Sequence, residues 1–267
     1  MLRLDHVLAA VDESDEGRVV IRVAARLAGL AGGKVTVLKV EPPSADPRRS
    51  EEARCRLEAV VRDELAGVEG ASVEVVVSQG LPGVEIGRMA EDTAAGLVVV
   101  GRKRRSQAQR LLLGDTASEV VRRARMPCLA VQAGKAEVLQ RVLVALDGGR
   151  RGMAVLLAAM ELVRVVSGTL RAVTVERDAP GEAGDYLPMT ARSRALGTEL
   201  ERIRPKIPLA VHRGAVVQQV LAEGAAWGTD VLAVGYHRGG PAGVIEAGSV
   251  ARRLWHEAHC AVLTVPL

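Results

Sequence analysis

The strongest constraint on this chain is an internal repeat with a period of half its length. The run VLAAVD, which ends at Asp12, returns as VLVALD, which ends at Asp147, 135 residues later. The stretch Lys34–Glu41 returns at the same offset as Thr169–Glu176. Three glycines are each matched 134 residues later: Gly80 by Gly214, Gly101 by Gly235 and Gly114 by Gly248. The chain of 267 residues is therefore a duplication, which predicts two domains of about 130 residues each.

Each half alternates short apolar runs with amphipathic segments. In the first half the predicted strands are Val7–Val11, Val35–Val40, Val73–Val77, Leu97–Val100 and Leu129–Val131. The first helix is predicted to begin at Ser14 or Asp15 and to end at Gly32 and Gly33, and further helices are expected near 57–65, 84–94 and 115–125. Alternating strands and helices predict the α/β class, with a doubly wound parallel sheet and helices on both faces. The second half repeats this pattern from Val142 to Val265.

Composition limits the class of protein further. The cores must be aliphatic, because the chain has no Phe, two Trp and two Tyr. No apolar run approaches the roughly 18–20 residues of a membrane span, and the N-terminus lacks the long apolar region of a secretory signal, so we expect a cytoplasmic protein. The three cysteines are far apart and predict neither a disulfide framework nor a metal site.

The domain limits follow from the repeat and from the polar stretch between its copies. We predict one domain at 1–132 and a second at 140–267, joined by a linker at 133–139. The formal net charge of +4 permits acidic ligands, but basic residues are spread along the chain without clustered aromatics or a helix-turn-helix pattern. Nucleic-acid binding is therefore not favoured.

Features that follow the strands are the candidates for a binding site. In an open doubly wound sheet, ligands bind beyond the carboxyl ends of the strands. Asp12 and Asp147 follow the first strand of each half, and Val40 and Val175 lie at the end of the second. A glycine-bounded segment follows the fourth strand of each half. Such a segment lets backbone N–H groups approach an anion, and the helix after it directs its positive end at the same place.

The spacing of these segments resembles a known family. Gly101 is separated from Arg104 by two residues, and Arg104 is separated from Gly114 by nine residues. The same spacing links Gly235, Arg238 and Gly248, which Ser249 follows. This resembles the universal stress protein loop, which runs Gly, two residues, Gly, nine residues, Gly, and then Ser or Thr. The resemblance extends over both halves of the chain.

The resemblance implies a fold and a ligand. In this family the fold is a Rossmann-like, five-stranded parallel sheet ordered 3-2-1-4-5, and the loop wraps the phosphates and ribose of ATP. The positions that match the family's adenine-nucleotide site are Asp12, Val40, Gly101, Arg104 and Gly114 in the first half, and Asp147, Val175, Gly235, Arg238, Gly248 and Ser249 in the second. For Asp12 and Asp147 the alternative is a residue that only forms a turn, and for Val40 and Val175 it is plain core.

The departures from the family pattern separate the two halves. Both place Arg at the second glycine position, where a guanidinium could bind a phosphate in a bidentate manner. The first half has Asp115 where the family has Ser or Thr, and a carboxylate repels phosphate. Ser249 keeps a hydroxyl at this position. The resemblance therefore favours the second half as the site for ATP or another adenine nucleotide.

The sequence predicts a ligand sensor without catalytic activity. No P-loop, nucleophile elbow or GxGxxG follows a strand, and no paired acid and base stands out. His256, His259 and Cys260 lie at helical spacing, but arginines replace both histidines in the first half, which argues against zinc. The alternatives are an interaction module with degenerate pockets and a nucleotide-using enzyme on the same fold. The resemblance also implies that the halves pack as a pseudo-dimer within one chain, with homodimerisation left open.

Overall fold

The computed structural model describes residues 2–44, 46–68, 70–102, 119–121, 125–134, 139–147, 152–176, 191–203, 207–236 and 250–267. The chain divides into two compact units, formed mainly by Met1–Val138 and by Leu139–His237 together with Ile245–Val265. We call them unit 1 and unit 2. The domain limits 1–132 and 140–267 and the pairing of the units stay predictions.

Unit 1 contains five strands and three helices among its described residues. The strands are β1 (His6–Val11), β2 (Lys34–Glu41), β3 (Ser72–Gln79), β4 (Leu97–Gly101) and β5 (Cys128–Val131). The helices are α1 (Asp15–Leu30), α2 (Pro47–Glu64) and α3 (Pro82–Asp92). Of the helix predicted at 115–125, the described residues 119–121 are helical, and 115–118 and 122–124 lie outside the described part of the chain.

Unit 2 repeats this order. Its strands are β6 (Arg141–Ala145), β7 (Thr169–Glu176), β8 (Leu209–Arg213), β9 (Val231–Tyr236) and β10 (Ala261–Pro266). Its helices are α4 (Gly152–Val166), α5 (Ala191–Ile203), α6 (Val216–Trp227) and α7 (Val250–Glu257).

The strand order of each unit confirms the predicted fold class. Unit 1 orders its strands β3-β2-β1-β4-β5, and unit 2 orders them β8-β7-β6-β9-β10, which is 3-2-1-4-5 in both. The pairs of β1 with β2 and β4, and of β6 with β7 and β9, are parallel. The reversal of strand order beside β1 and beside β6 is the switch point at which doubly wound sheets bind ligands.

The repeat extends to single backbone hydrogen bonds. Gly80 has φ of +147° and donates its N–H to the carbonyl of Glu41 at 3.0 Å. Gly214 has φ of +104° and donates to the carbonyl of Glu176, also at 3.0 Å. Side chains with a Cβ rarely adopt such φ values, so both turns require glycine. The two units therefore turn from their third strand into the next helix in the same way.

The cores are aliphatic, as the composition predicts. Strand β1 and helix α1 bury a continuous apolar face, whose fully buried large side chains include Leu8, Ile21 and Leu27. Helix α1 begins where the sequence indicates, with Ser14 as the N-cap, and Gly32 has φ of +64° just beyond the helix end. In the part of the chain that the structure describes, no helix is long and apolar enough to cross a membrane.

Candidate functional site

In unit 1 the strand register brings three predicted site residues to one edge of the sheet. Val11 of β1 pairs with Lys39 of β2, and Ala10 pairs with Val100 of β4. One residue further along, Asp12 lies in line with Val40, and Gly101 lies in line with Val11. Neighbouring strands are about 4.8 Å apart, so these three residues form a short row at the carboxyl ends of β2, β1 and β4. We call this row the carboxyl edge of unit 1.

Unit 2 has the same arrangement. Ala145 of β6 pairs with Val173 of β7, and Val144 pairs with Ala233 of β9. Asp147 therefore lies in line with Val175, and Gly235 lies in line with Leu146. Both aspartates are exposed, and both valines are half-buried. The duplication has thus preserved the carboxyl edge in both units.

The turn from β1 into α1 shows which contacts Asp12 makes. Its Oδ1 accepts a hydrogen bond from the backbone N–H of Ser14 at 3.1 Å and another from the Ser14 hydroxyl. The Ser14 Oγ in turn accepts from the N–H of Gly17 at 3.4 Å. Asp12 therefore forms the turn, the role that the sequence left open, while its exposed carboxylate remains at the carboxyl edge.

A buried cation beside Val40 was not anticipated from the sequence. The ammonium of Lys39, whose side chain is 11% exposed, forms ion pairs with Glu13 at 2.5 Å and with Glu41 at 2.7 Å. Burial alone would lower the pKa of Lys39, but the hydrogen bonds to the two carboxylates outweigh it and raise the pKa. The hydrogen bond from Lys39 lowers the pKa of Glu13. The lowered pKa of Glu13 and the raised pKa of Lys39 favour the ionised pair, and the ion pairs of Lys39 tie the end of β2 to the turn after β1.

Unit 2 differs at the same positions. The counterpart of Lys39 is Thr174, which is buried, and the counterpart of Glu13 is Gly148. The remaining carboxylate, Glu176, is buried and lies 3.5 Å from the guanidinium of Arg213 on the neighbouring strand. The end of the second strand is thus held by a different ion pair in each unit.

The residues that follow the first strand have opposite charge in the sequences of the two units. Unit 1 has the sequence Asp-Glu-Ser-Asp-Glu at residues 12–16, whereas unit 2 has Asp-Gly-Gly-Arg-Arg at residues 147–151. A Cβ placed on Gly101 would lie 2.8 Å from the Cβ of Glu16, so this acidic turn adjoins the start of the glycine-bounded segment. Comparing the two copies of the turn residue by residue would have revealed this contrast from the sequence. A lysine inside an apolar strand was the sequence signal for the ion pairs of Lys39.

Several predicted residues lie outside the described part of the chain. These are Arg104, Gly114, Arg238, Gly248 and Ser249, together with Asp115. The strand-end residues of the candidate site, Asp12, Val40 and Gly101 and their counterparts, are described in both units. The role of each residue in binding a ligand stays a prediction from the sequence.

The three cysteines differ in their exposure to solvent. Burial raises the pKa of Cys128 to about 12, so this thiol is unreactive at neutral pH. Cys55 is exposed on α2, and Cys260 is half-buried. Within the described ranges, no group of three or more His, Cys, Asp or Glu side chains is arranged to hold a metal ion.

Comparison with a family model identifies both units. The model of the universal stress protein family matches residues 3–132 and again residues 139–266. The solved structure of a universal stress protein from Archaeoglobus fulgidus superimposes with a TM-score of 0.77 at 19% identity, covering 99% of each chain. At this identity the match shows a shared fold.

Two curated relatives come from Methanocaldococcus jannaschii, and both are universal stress proteins. One is 28% identical over 106 residues, which is 40% of this chain and 64% of the relative. The other is 34% identical over 68 residues, which is 26% of this chain and 40% of the relative. The matched stretches therefore span less than two thirds of either relative's length.

Proposed function

The chain belongs to the universal stress protein family, and on this premise we propose that it is a non-catalytic ligand sensor that binds an adenine nucleotide such as ATP. The proposed sites are the carboxyl edges of the two sheets, with unit 2 favoured. The observation that carries the proposal is the repeated row of Asp, Val and Gly at the strand ends, Asp12, Val40 and Gly101 in unit 1 and their counterparts in unit 2. These are the positions that match the family's nucleotide site.

The chemistry of the row suits an adenosine group. An exposed carboxylate, such as that of Asp147, accepts hydrogen bonds from ribose hydroxyls. Extended backbone at Val175 offers N–H and C=O groups to the edge of a base. A Cβ on Gly235 would lie 2.7 Å from Leu267 Cδ1 and 2.9 Å from Val155 Cγ2, so glycine lets β9 pack against these side chains at the end of the row. Each unit supplies these three groups at one edge of its sheet.

Charge supports the preference for unit 2. In the sequence, Arg150 and Arg151 stand at the positions of unit 2 that match Asp15 and Glu16 of unit 1. Like charges 4 Å apart repel by about 4 kcal/mol at an effective dielectric constant of about 20, before screening. A phosphate chain therefore meets repulsion at unit 1 and attraction at unit 2. Ser249 and Asp115 act in the same direction, since a hydroxyl donates to phosphate and an ionised carboxylate does not.

The proposal that the protein has no catalytic activity rests on what the edge carboxylates do. Asp12 forms the turn before α1, and Glu13 and Glu41 neutralise Lys39. A general base needs an oxygen within reach of a substrate proton, and these carboxylates already hold the protein's own donors. Their arrangement supports binding and positioning in place of acid–base chemistry.

The first test is mass spectrometry of any small molecule released from the purified protein, followed by calorimetric titration with ATP. We expect Asp147→Ala to weaken ATP binding about 10- to 100-fold, the cost of a lost hydrogen bond to a charged group. Asp12→Ala is the matched control and should leave the tighter site unchanged. Ser249→Asp should weaken the tighter site, and Asp115→Ser should strengthen the weaker one. A protein that neither retains nor binds any adenine compound is instead an interaction module with degenerate pockets.

A further inference from the structure

Unit 1 surrounds its carboxyl edge with negative charge. Asp12 and Glu13 follow β1 directly, and Asp15 and Glu16 form the first turn of α1. The first turn of a helix normally offers N–H groups and the positive end of the helix dipole to an anion. Here Ser14 accepts from the N–H of Gly17, and the two acidic side chains already complement the dipole. The start of α1 is therefore an unfavourable place for a phosphate.

The cation beside this edge is also unavailable to a phosphate. Lys39 is buried, and both Glu13 and Glu41 hold its ammonium. A phosphate that used Lys39 would have to displace Glu13, whose side chain is 71% exposed and can move. Displacement would leave the Glu13 carboxylate beside the incoming anion. The ion pairs of Lys39 therefore act against a charged ligand and leave the groups that contact adenosine in place.

We propose that unit 1 selects an adenine nucleoside without a phosphate chain, and that Glu13, Glu16 and Lys39 are the residues that determine this selectivity. The inference rests on the proposed function, because it assumes that the carboxyl edge binds adenosine. Glu16 acts at the position where a phosphate chain would pass, since its Cβ adjoins Gly101. Glu13 acts through Lys39. The protein groups proposed to contact adenosine, Asp12 and the backbone of Val40, have the same counterparts in unit 2, Asp147 and Val175.

The sequence of unit 2 has different residues at the positions that match Glu13, Glu16 and Lys39. Gly148 replaces Glu13, Arg151 replaces Glu16 and Thr174 replaces Lys39. In the sequence, the same Asp, Val and Gly of the strand ends are therefore accompanied by acidic residues in one half and by basic residues in the other. The expected result is one site for a nucleoside and one for a phosphorylated nucleotide. Such a chain responds to the ratio of the two ligands, which a pair of identical sites does not.

The experiment titrates the full chain with adenosine, AMP and ATP, and follows the backbone amide signals of Gly101 and Gly235 by NMR. These two amides report the edges of unit 1 and unit 2 separately. We expect adenosine to shift both signals. The ATP affinity reported by Gly235 should be at least about tenfold higher than that reported by Gly101, which corresponds to a repulsion of about 1.4 kcal/mol from one unit charge. At the Gly101 edge, the affinity for AMP should lie between the affinities for adenosine and for ATP.

Variants that import the residues of unit 2 test the assignment. Glu16→Arg should raise the ATP affinity of unit 1 by about tenfold or more and change its adenosine affinity little. Glu91→Arg is the control, because it makes the same change of charge on the exposed last turn of α3. It should change neither the ATP affinity nor the adenosine affinity of unit 1. Glu13→Gly should also raise ATP affinity by releasing Lys39, and adding Lys39→Thr should remove that gain. Thermal unfolding of each variant confirms that it is folded.

The outcomes separate this inference from the proposed function. If adenosine, AMP and ATP all fail to bind at either edge, the proposed function is wrong and the inference with it. If adenosine leaves Gly101 unshifted, if ATP binds both edges equally, or if Glu16→Arg leaves the ratio of ATP to adenosine affinity unchanged, only the inference is overturned. The inference is supported if Glu16→Arg raises the ATP affinity of unit 1 and Glu91→Arg does not.

Discussion

The two units share the turn that follows their third strand, but the face of the sheet that carries His6 and Arg141 has different chemistry in each. In unit 1 the first two strands place an uncharged, hydrogen-bonded pair on this face, His6 and Thr36. His6 at the start of β1 donates from Nδ1 to the carbonyl of Thr93 at 2.8 Å, and its Nε2 lies 2.9 Å from the hydroxyl of Thr36. Because a carbonyl only accepts, the neutral ring carries its proton on Nδ1 and accepts from Thr36 at Nε2.

In unit 2 the same positions are charged. Arg141 replaces His6 and donates to the carbonyl of Trp227, the counterpart of Thr93, at 3.3 Å. Arg171 replaces Thr36, donates to Glu223 at 2.7 Å and lies 5.0 Å from the centre of the Trp227 ring. His212 holds the other carboxylate oxygen of Glu223 at 2.8 Å. This cluster attaches α6 to β7 and β8.

The contrast shows which features the fold fixes. The carbonyl at the end of the third helix accepts a hydrogen bond from the start of the first strand in both units, through a histidine in one and an arginine in the other. Buried polar groups must be satisfied, but a neutral or an ionic partner serves equally well. The duplicated backbone therefore tolerates a change of side-chain chemistry so long as each donor keeps an acceptor.

The largest expected effect is the loss of the carboxylate in unit 2. Glu223→Met, which imports Met89 of unit 1, leaves Arg171 and His212 without their shared partner. We expect a loss of about 3 kcal/mol in the free energy of unfolding, at the low end for a buried pair because the Arg171 side chain is 33% exposed. Urea unfolding measures the loss, and hydrogen exchange assigns it to unit 2.

The matched control is the double variant Arg171→Thr with Glu223→Met, which gives unit 2 the residues of unit 1 at both positions. It should regain at least about half of the lost stability, because no charge is left unpaired between the two positions. Additive losses from the two single variants would contradict the idea that Arg171 and Glu223 act as a pair.

The second prediction compares one glycine in each unit. A Cβ on Gly17 would lie 2.2 Å from the backbone oxygen of Asp12, whereas a Cβ on Gly152, its counterpart, would lie 3.4 Å from Leu146 Cδ2. Gly17→Ala should therefore cost about 1–3 kcal/mol, because the turn before α1 must move. Gly152→Ala should be neutral or stabilise by up to about 1 kcal/mol, since it favours the helix. Equal thermal shifts for the two variants would show that the turns are not packed differently.

A milder perturbation is a change of pH. Burial lowers the pKa of His6 below its ordinary value of 6.5, an effect that the hydrogen bond to Thr93 only partly offsets. The unfolded chain therefore binds this proton more readily, so unit 1 should lose stability as the pH falls from 6.5 towards the folded pKa of His6. His6→Gln should remove this dependence, as measured by urea unfolding across that range.

Unit 2 should respond at lower pH. Burial raises the pKa of Glu223, but the hydrogen bonds from Arg171 and His212 outweigh it and leave the pKa below its ordinary value of 4.5. The stability that Glu223 contributes is present above 4.5 and is lost as the pH falls through its folded pKa. If hydrogen exchange finds the two units weakening over the same pH range, the contrast between the uncharged pair of unit 1 and the ion pairs of unit 2 is wrong.

The smallest expected effect concerns the cap of α1. Ser14→Ala should cost about 0.5–2 kcal/mol, because the Gly17 N–H loses its acceptor. Ser14→Gly, which imports Gly149 of unit 2, should lower the free energy of unfolding by only about 0.3 kcal/mol. Thermal unfolding distinguishes them, and a cost for glycine as large as that for alanine would contradict this difference between the two replacements at the cap.

The fold was predictable because its signals are local and occur twice. Apolar runs of four to eight residues, each closed by glycine or a polar turn, give the strands their positions to within one or two residues, as at β2, expected at Val35–Val40 and found at Lys34–Glu41. The resemblance added the order of the strands. The candidate site was only partly predictable: Asp12, Val40 and Gly101 were identified, but Lys39 and Glu13 were not.

The sequence by itself determined the duplication, the β/α alternation and the aspartate, valine and glycine at the strand ends, because each is a pattern within a short window or an exact offset between two copies. Only the tertiary structure decided which charges meet. Glu13 and Lys39 are 26 residues apart and touch because β1 and β2 are parallel neighbours in register. Arg171 and Glu223 are 52 residues apart and meet when α6 packs on β7. Pairing of charges depends on distances that the chain sets only after strands and helices have packed, so local pattern does not encode it.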